Sequence, residues 1–80
     1  MKTVTIRQCY GDHTEWTSTH RTDDDQVAIE RAIKRRFGVR AAFYEDNGLS
    51  TESKKYGQIG HPTKWGNASM DTGRVSIRVE

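Results

Sequence analysis

The clearest hydrophobic pattern in the chain lies between Thr22 and Gly38, TDDDQVAIERAIKRRFG. Ile29, Ala32, Ile33 and Phe37 recur at i, i+3, i+4 and i+8, which draws one apolar stripe along a helix. Both ends of that helix are specified locally. Thr22 and Asp23 suit the N-cap, and Asp25 and Gln26 follow each of them by three, as in a capping box. Asp23, Asp24 and Asp25 complement the positive end of the helix dipole, and Lys34, Arg35 and Arg36 the negative end. Gly38 suits the position just past the last turn. The outer face carries Glu30, Arg31, Lys34 and Arg35, with Glu30 four residues before Lys34 as a favourable pair. Val27 sits among these charges, either as a solvated stray apolar residue or as a contact point.

Alternation predicts the strands. In Thr3 to Tyr10, Val4, Ile6, Gln8 and Tyr10 point one way, and Thr3, Thr5, Arg7 and Cys9 the other. Gly11-Asp12 reads as a two-residue type II′ turn, with Thr14 to His20 returning. That register sets Arg7 opposite Trp16, on the face away from Ile6. A turn one residue longer swings Trp16 into the core instead. After the helix, Val39 to Glu45 reads as a strand with Val39, Ala41 and Phe43 facing the helix. Asn47-Gly48 is a type I′ hairpin signal, and the polar stretch Leu49 to Tyr56 reads as a charged edge strand. Gly57 to Gly73 has no period and reads as a long loop, of the kind that is functional in a small domain. Arg74 to Glu80 alternates, with Val75, Ile77 and Val79 inward, and belongs centrally beside the first strand.

These elements predict one α+β domain over residues 1–80, β-β-α-β-β-β. Four to five strands form an antiparallel or mixed sheet, with one α-helix packed on one face. The other face, carrying Arg7, Trp16, Tyr44, Arg74 and Arg78 according to register, has nothing to cover it. A partner or a second copy of the chain is expected there.

Composition sharpens this in two ways. Val, Ile, Leu and Phe make up only 13 of 80 residues, so the core is small and the fold marginal. The net charge of +2 is unevenly spread: residues 1–30 carry −3 and residues 31–80 carry +5. A basic C-terminal part fits nucleic acid or an acidic protein surface. Cys9 is the only cysteine, which excludes an internal disulfide. No signal peptide or apolar run of membrane-spanning length is present, so no membrane partner and a cytoplasmic location in a bacterial host cell are expected.

Catalytic constellations are not apparent. Cys9, Asp12, His13 and His20 lack the paired spacing of a zinc site. Nothing orients a histidine toward Cys9, and Gly57-x-x-Gly60 lacks the Lys-Ser/Thr of a phosphate loop. Neither an enzyme nor a cofactor is expected, and a ribonuclease using Tyr56, His61 and Lys64 is a distant reading. Lys54, Lys55, Tyr56, His61, Lys64 and Trp65 do interleave basic and aromatic residues as single-strand binders do. With Arg31, Lys34 and Arg35 of the helix they form the candidate partner-binding set. Asp23, Asp24 and Asp25, able to enter a basic groove, form a secondary one.

The opening MKTVTIRQCY, the helix DDQVAIERAIKRRFG and the following AAFYEDNG resemble small α/β anti-CRISPR proteins that inhibit type I surveillance complexes. The resemblance covers about half of the chain and carries no binding residues over. It implies a non-enzymatic phage or mobile-element inhibitor that docks on a Cas subunit and blocks target DNA. Single-stranded nucleic-acid binding is the alternative.

Overall fold

The computed structural model describes all 80 residues, and the predicted helix is α1, Asp25–Phe37. Its N-cap is Asp24, one residue beyond Asp23. The Asp24 carboxylate accepts from the N–H groups of Gln26 at 2.8 Å and Val27 at 3.2 Å. Thr22 serves one step earlier, its hydroxyl accepting from Asp24 N–H at 3.1 Å. Replacing Asp24 with alanine should therefore cost about 1 kcal/mol, read from the midpoint of urea unfolding. At the other end Gly38 N–H donates to the Lys34 carbonyl at 3.0 Å, with a φ of 113° that glycine tolerates. The stripe is buried as its spacing requires: Ile29, Ala32 and Ile33, joined by Ala28, are at most 3% exposed. Val27 is half-buried.

Six strands form one antiparallel sheet. They are β1 (Lys2–Gln8), β2 (Glu15–His20), β3 (Ala42–Glu45), β4 (Lys55–Pro62), β5 (Ala68–Met70) and β6 (Val75–Val79). Their order is β2-β1-β6-β4-β3, with β5 paired to the end of β4. The last strand lies beside the first, as alternation predicts. Val4 and Ile6 of β1, Val75 and Ile77 of β6, and Ile59 of β4 meet the helix stripe, and Ala41 closes the core at the start of β3. A single helix about 10 Å across cannot span five strands spaced about 4.8 Å apart. It packs chiefly over β2 and β1.

The structure corrects the sequence reading at four places. The β1–β2 corner is a longer loop, closed by Gln8 N–H on the Thr14 carbonyl at 2.9 Å. Asp12 causes the shift: its carboxylate accepts from the Thr14 hydroxyl at 2.6 Å and from Thr14 N–H at 3.3 Å. Those bonds hold the Asp12 pKa below its usual value. Ile6 now faces Trp16, and Arg7 faces Glu15. Trp16 thus joins the helix side, where its ring meets Phe37 edge-on at 5.3 Å and Arg36 stacks over it at 4.9 Å.

Asn47-Gly48 does not make a type I′ hairpin. Gly48 lacks the positive φ that this turn demands, and its N–H donates to the Asp46 carboxylate at 3.2 Å. The Asp46 carbonyl then accepts from Leu49 and Ser50 N–H, which winds residues 46–54 into a loop in place of the predicted edge strand. The third correction is the largest: much of Gly57 to Gly73 is strand. Residues 55–57 of β4 pair with β6, 57–60 with β3, and 60–62 with β5. The fourth is Val39, which is 84% exposed because β3 begins only at Ala42.

Candidate binding surface

The thirteen Lys and Arg residues divide by layer. Every one inside a strand, and Arg74 just before β6, has a carboxylate partner within 4 Å, whereas Lys54 just before β4 and Lys64 at the β4–β5 turn have none. Lys2 pairs with Asp25 (3.2 Å), Arg7 with Glu15 (3.6 Å) and Lys55 with Glu45 (3.6 Å). Arg74 pairs with Asp46 (3.1 Å) and Arg78 with Glu80 (3.8 Å). Such exposed pairs add little stability, but they cancel the field of the sheet layer. Arg21, Arg31, Lys34, Arg35, Arg36 and Arg40, on α1 and its flanks, make no ion pair at all. Of the eight cations left unpaired, six are therefore gathered on the helix layer.

Helical geometry places these cations. Arg31 and Arg35 are one turn apart, about 6 Å along the axis. Both lie on the flank facing the end of β2, where Arg31 Nη1 donates to the Arg21 carbonyl at 3.1 Å. Beside them His20 is only 8% exposed, its Nε2 2.7 Å from the Ser18 hydroxyl. Burial, then the charges of Arg35 and Arg31, hold the His20 pKa below its ordinary value. The ring is kept neutral in a basic neighbourhood.

The folded ring binds its proton less tightly than the unfolded one, so below about pH 6.5 the unfolded chain takes up protons first. Stability should fall from there down to the folded-state pKa and then level off. Thermal melts at about pH 8 and about pH 5 should show a lower Tm at the acid end, and His20→Gln should remove part of that difference.

The other candidates do not form one patch. Residues alternate along β4, so Tyr56 lies on the open sheet face and Lys55 and His61 on the helix side. Lys54 lies over Tyr56 at 5.8 Å, beside Arg7 and Arg78. His61 Nδ1 is 2.9 Å from Asp71, and its position opposite Tyr56 separates the proposed ribonuclease set. Lys64 and Trp65 sit at the tip of the β4–β5 hairpin, with the ammonium 4.6 Å from the ring centroid. Trp65 is 78% exposed, on a turn held by Thr63 N–H to the Asn67 carbonyl (2.8 Å) and by Gly66 with φ 85°. The acidic set is engaged locally: Asp24 caps α1, Asp25 holds Lys2, and Asp23 lies 3.8 Å from the N-terminal ammonium.

Cys9 is half-buried at the end of β1, and no three His, Cys, Asp or Glu residues converge as metal ligands. No helix is long and apolar enough to cross a membrane. What sequence reasoning missed is the contrast between paired and unpaired cations, because the partners Glu15, Glu45, Asp46 and Glu80 are set by strand register. Arg21, Arg36 and Arg40 belong with Arg31, Lys34 and Arg35 for the same reason. No protein-family model, curated protein or solved structure matches this chain.

Proposed function

We propose that the chain is a non-enzymatic binding module whose helix layer engages a nucleic-acid backbone. The observation that carries this reading is the segregation of charge: six unpaired cations lie on and beside α1, while every cation inside a strand is paired with a carboxylate. A basic stripe along a helix is the usual footprint of phosphate binding, and it supplies affinity without sequence readout. The test is fluorescence anisotropy of labelled single- and double-stranded oligonucleotides at low and at physiological salt. Binding that weakens steeply with salt is expected, and no binding at low salt defeats the reading.

A second reading is favoured by a different observation. Val39, Trp65 and Met70 are exposed at 84, 78 and 43%, and the segment Phe37–Ala41 carrying Val39 lies beside His61 and Asp71 of the β4–β5 hairpin. Phosphates have no use for such side chains, whereas exposed aromatic anchors dominate protein interfaces. This suits the inhibitor role implied by the anti-CRISPR resemblance, with a Cas subunit as partner. Co-elution with a purified type I surveillance complex, and loss of that complex's target-DNA binding, are its expected results. Failure to co-elute would remove it.

A further inference from the structure

The longest sheet edge without a neighbour is β2. Gln8 N–H bonds the Thr14 carbonyl, and the antiparallel register repeats that bonded pairing at Ile6–Trp16, Val4–Ser18 and Lys2–His20. The N–H and C=O groups of Glu15, Thr17 and Thr19 therefore point away from β1. Natural sheets guard such edges with lysine, proline, a bulge or a very short strand. The opposite edge, β3, is four residues long, but β2 runs for six residues, EWTSTH, without lysine, proline or bulge and with a single carboxylate, Glu15, at its end. Thr17 and Thr19, β-branched and suited to strands, are exposed on it.

We propose that two copies of this chain join through β2 as antiparallel neighbours. Thr17 lies opposite the partner's Thr19, Glu15 lies opposite the partner's Arg21, and the two-fold axis passes at Ser18. At its centre this register pairs Thr17 with Thr19, whose backbone groups face outward. It also matches charge, since Arg21 has no carboxylate of its own and Glu15 holds only Arg7, at 3.6 Å and half-exposed. Threonine rows already cross the β1–β2 pair, with Thr3 and Thr19 hydroxyls 3.1 Å apart and Thr5 and Thr17 hydroxyls 3.5 Å apart. The join continues both rows into the second sheet. Because α1 packs over β2, it also sets Arg31, Arg35 and Arg36 of the two copies side by side and doubles the unpaired cationic surface.

Sedimentation velocity on the protein alone tests this, so its outcome is independent of nucleic-acid binding. A monomer–dimer equilibrium in the micromolar range is expected, and a monomer throughout that range overturns the proposal. Thr17→Pro separates the edge from the fold. Its missing N–H is one that faces away from β1, a place where proline is tolerated in edge strands. The variant should keep its far-UV circular dichroism and associate at least tenfold more weakly. Should it fail to fold, Thr19→Lys places a charge on the same edge and should weaken association likewise. A folded variant of either kind that dimerises as tightly as the parent chain overturns the β2 interface.

Discussion

Gly57→Ala is expected to remove a large share of the stability of this protein. A Cβ at position 57 would collide with the Tyr44 carbonyl, and would stand 2.9 Å from both Glu45 Cα and an edge carbon of the Phe43 ring. The first two are backbone atoms of the paired strand and cannot rotate aside. Gly57 also pairs with Glu45 on one side and Val75 on the other, so relief for one ladder strains the second. Overpacking in a tight interior costs about 1–3 kcal/mol and sometimes more. A chain of this length holds roughly 4–12 kcal/mol in total. A core of ten residues, five of them alanine or valine, puts this protein toward the low end. Gly73→Ala is the matched control, since nothing lies within 4 Å of its added methyl. Urea unfolding followed by circular dichroism should separate the two by at least about 2 kcal/mol. Equal stabilities would mean that β3 and β4 do not approach as closely as Gly57 requires.

That glycine also explains where the sequence was hard to read. Helix α1 and strands β1 and β6 were legible because each carries its own complete signal: a 3.6-residue stripe with caps, or an unbroken alternation ending in buried Val4, Ile6, Val75 and Ile77. The α+β outline, one strand short of the six observed, and the central place of the last strand follow from these elements. Strand β4 offers no such signal. Gly57 and Gly60 occupy the positions where side chains would mark a period, and Ile59 is the lone apolar core residue among them. Their lack of side chains is a packing requirement, with Gly60 pressed against the Ser69 carbonyl as Gly57 is against that of Tyr44. In isolation the same residues look like a loop. The β1–β2 corner failed for another reason: the competing hydrogen bonds of Asp12 to Thr14 moved the register by one residue and carried Trp16 across the sheet. The longer-turn alternative anticipated that outcome without being able to choose it.

The binding surface was legible only in part, for a reason that is electrostatic. Arg31, Lys34 and Arg35 stand out from their helical spacing. A count of charges along the chain cannot show that Arg7 and Arg78 are matched by Glu15 and Glu80 while the helix cations are not. Strand register decides which charges cancel, and register was the uncertain quantity. The same principle bears on the basic-aromatic run from Lys54 to Trp65. Alternation along β4 and the reversal at Gly66 divide it among the open sheet face, the helix side and a hairpin tip.

Replacing Arg31, Lys34 and Arg35 together by glutamine should lower oligonucleotide affinity roughly a hundredfold at low salt and flatten its salt dependence. Each phosphate contact contributes about 0.7 to 0.9 to the slope of log affinity against log salt, so three lost contacts should reduce it by about 2 to 3. Fold stability should change little. All three side chains are exposed and unpaired, and glutamine keeps nearly the helix propensity of lysine and arginine. The comparison that gives this result its meaning is the double substitution Arg7→Gln and Arg78→Gln, which removes two cations from the sheet face. Those guanidiniums already face Glu15 and Glu80, so phosphate binding would have to displace a carboxylate, and their loss should leave the slope nearly unchanged. Anisotropy titrations of both variants over a range of salt separate the cases. A flattened slope in the sheet variant with an unaltered one in the helix variant would move the site to the open face around Lys54 and Tyr56. Wild-type slopes in both would show that the unpaired helix cations do not contact phosphate, and the charge segregation would then need an acidic protein surface as its partner.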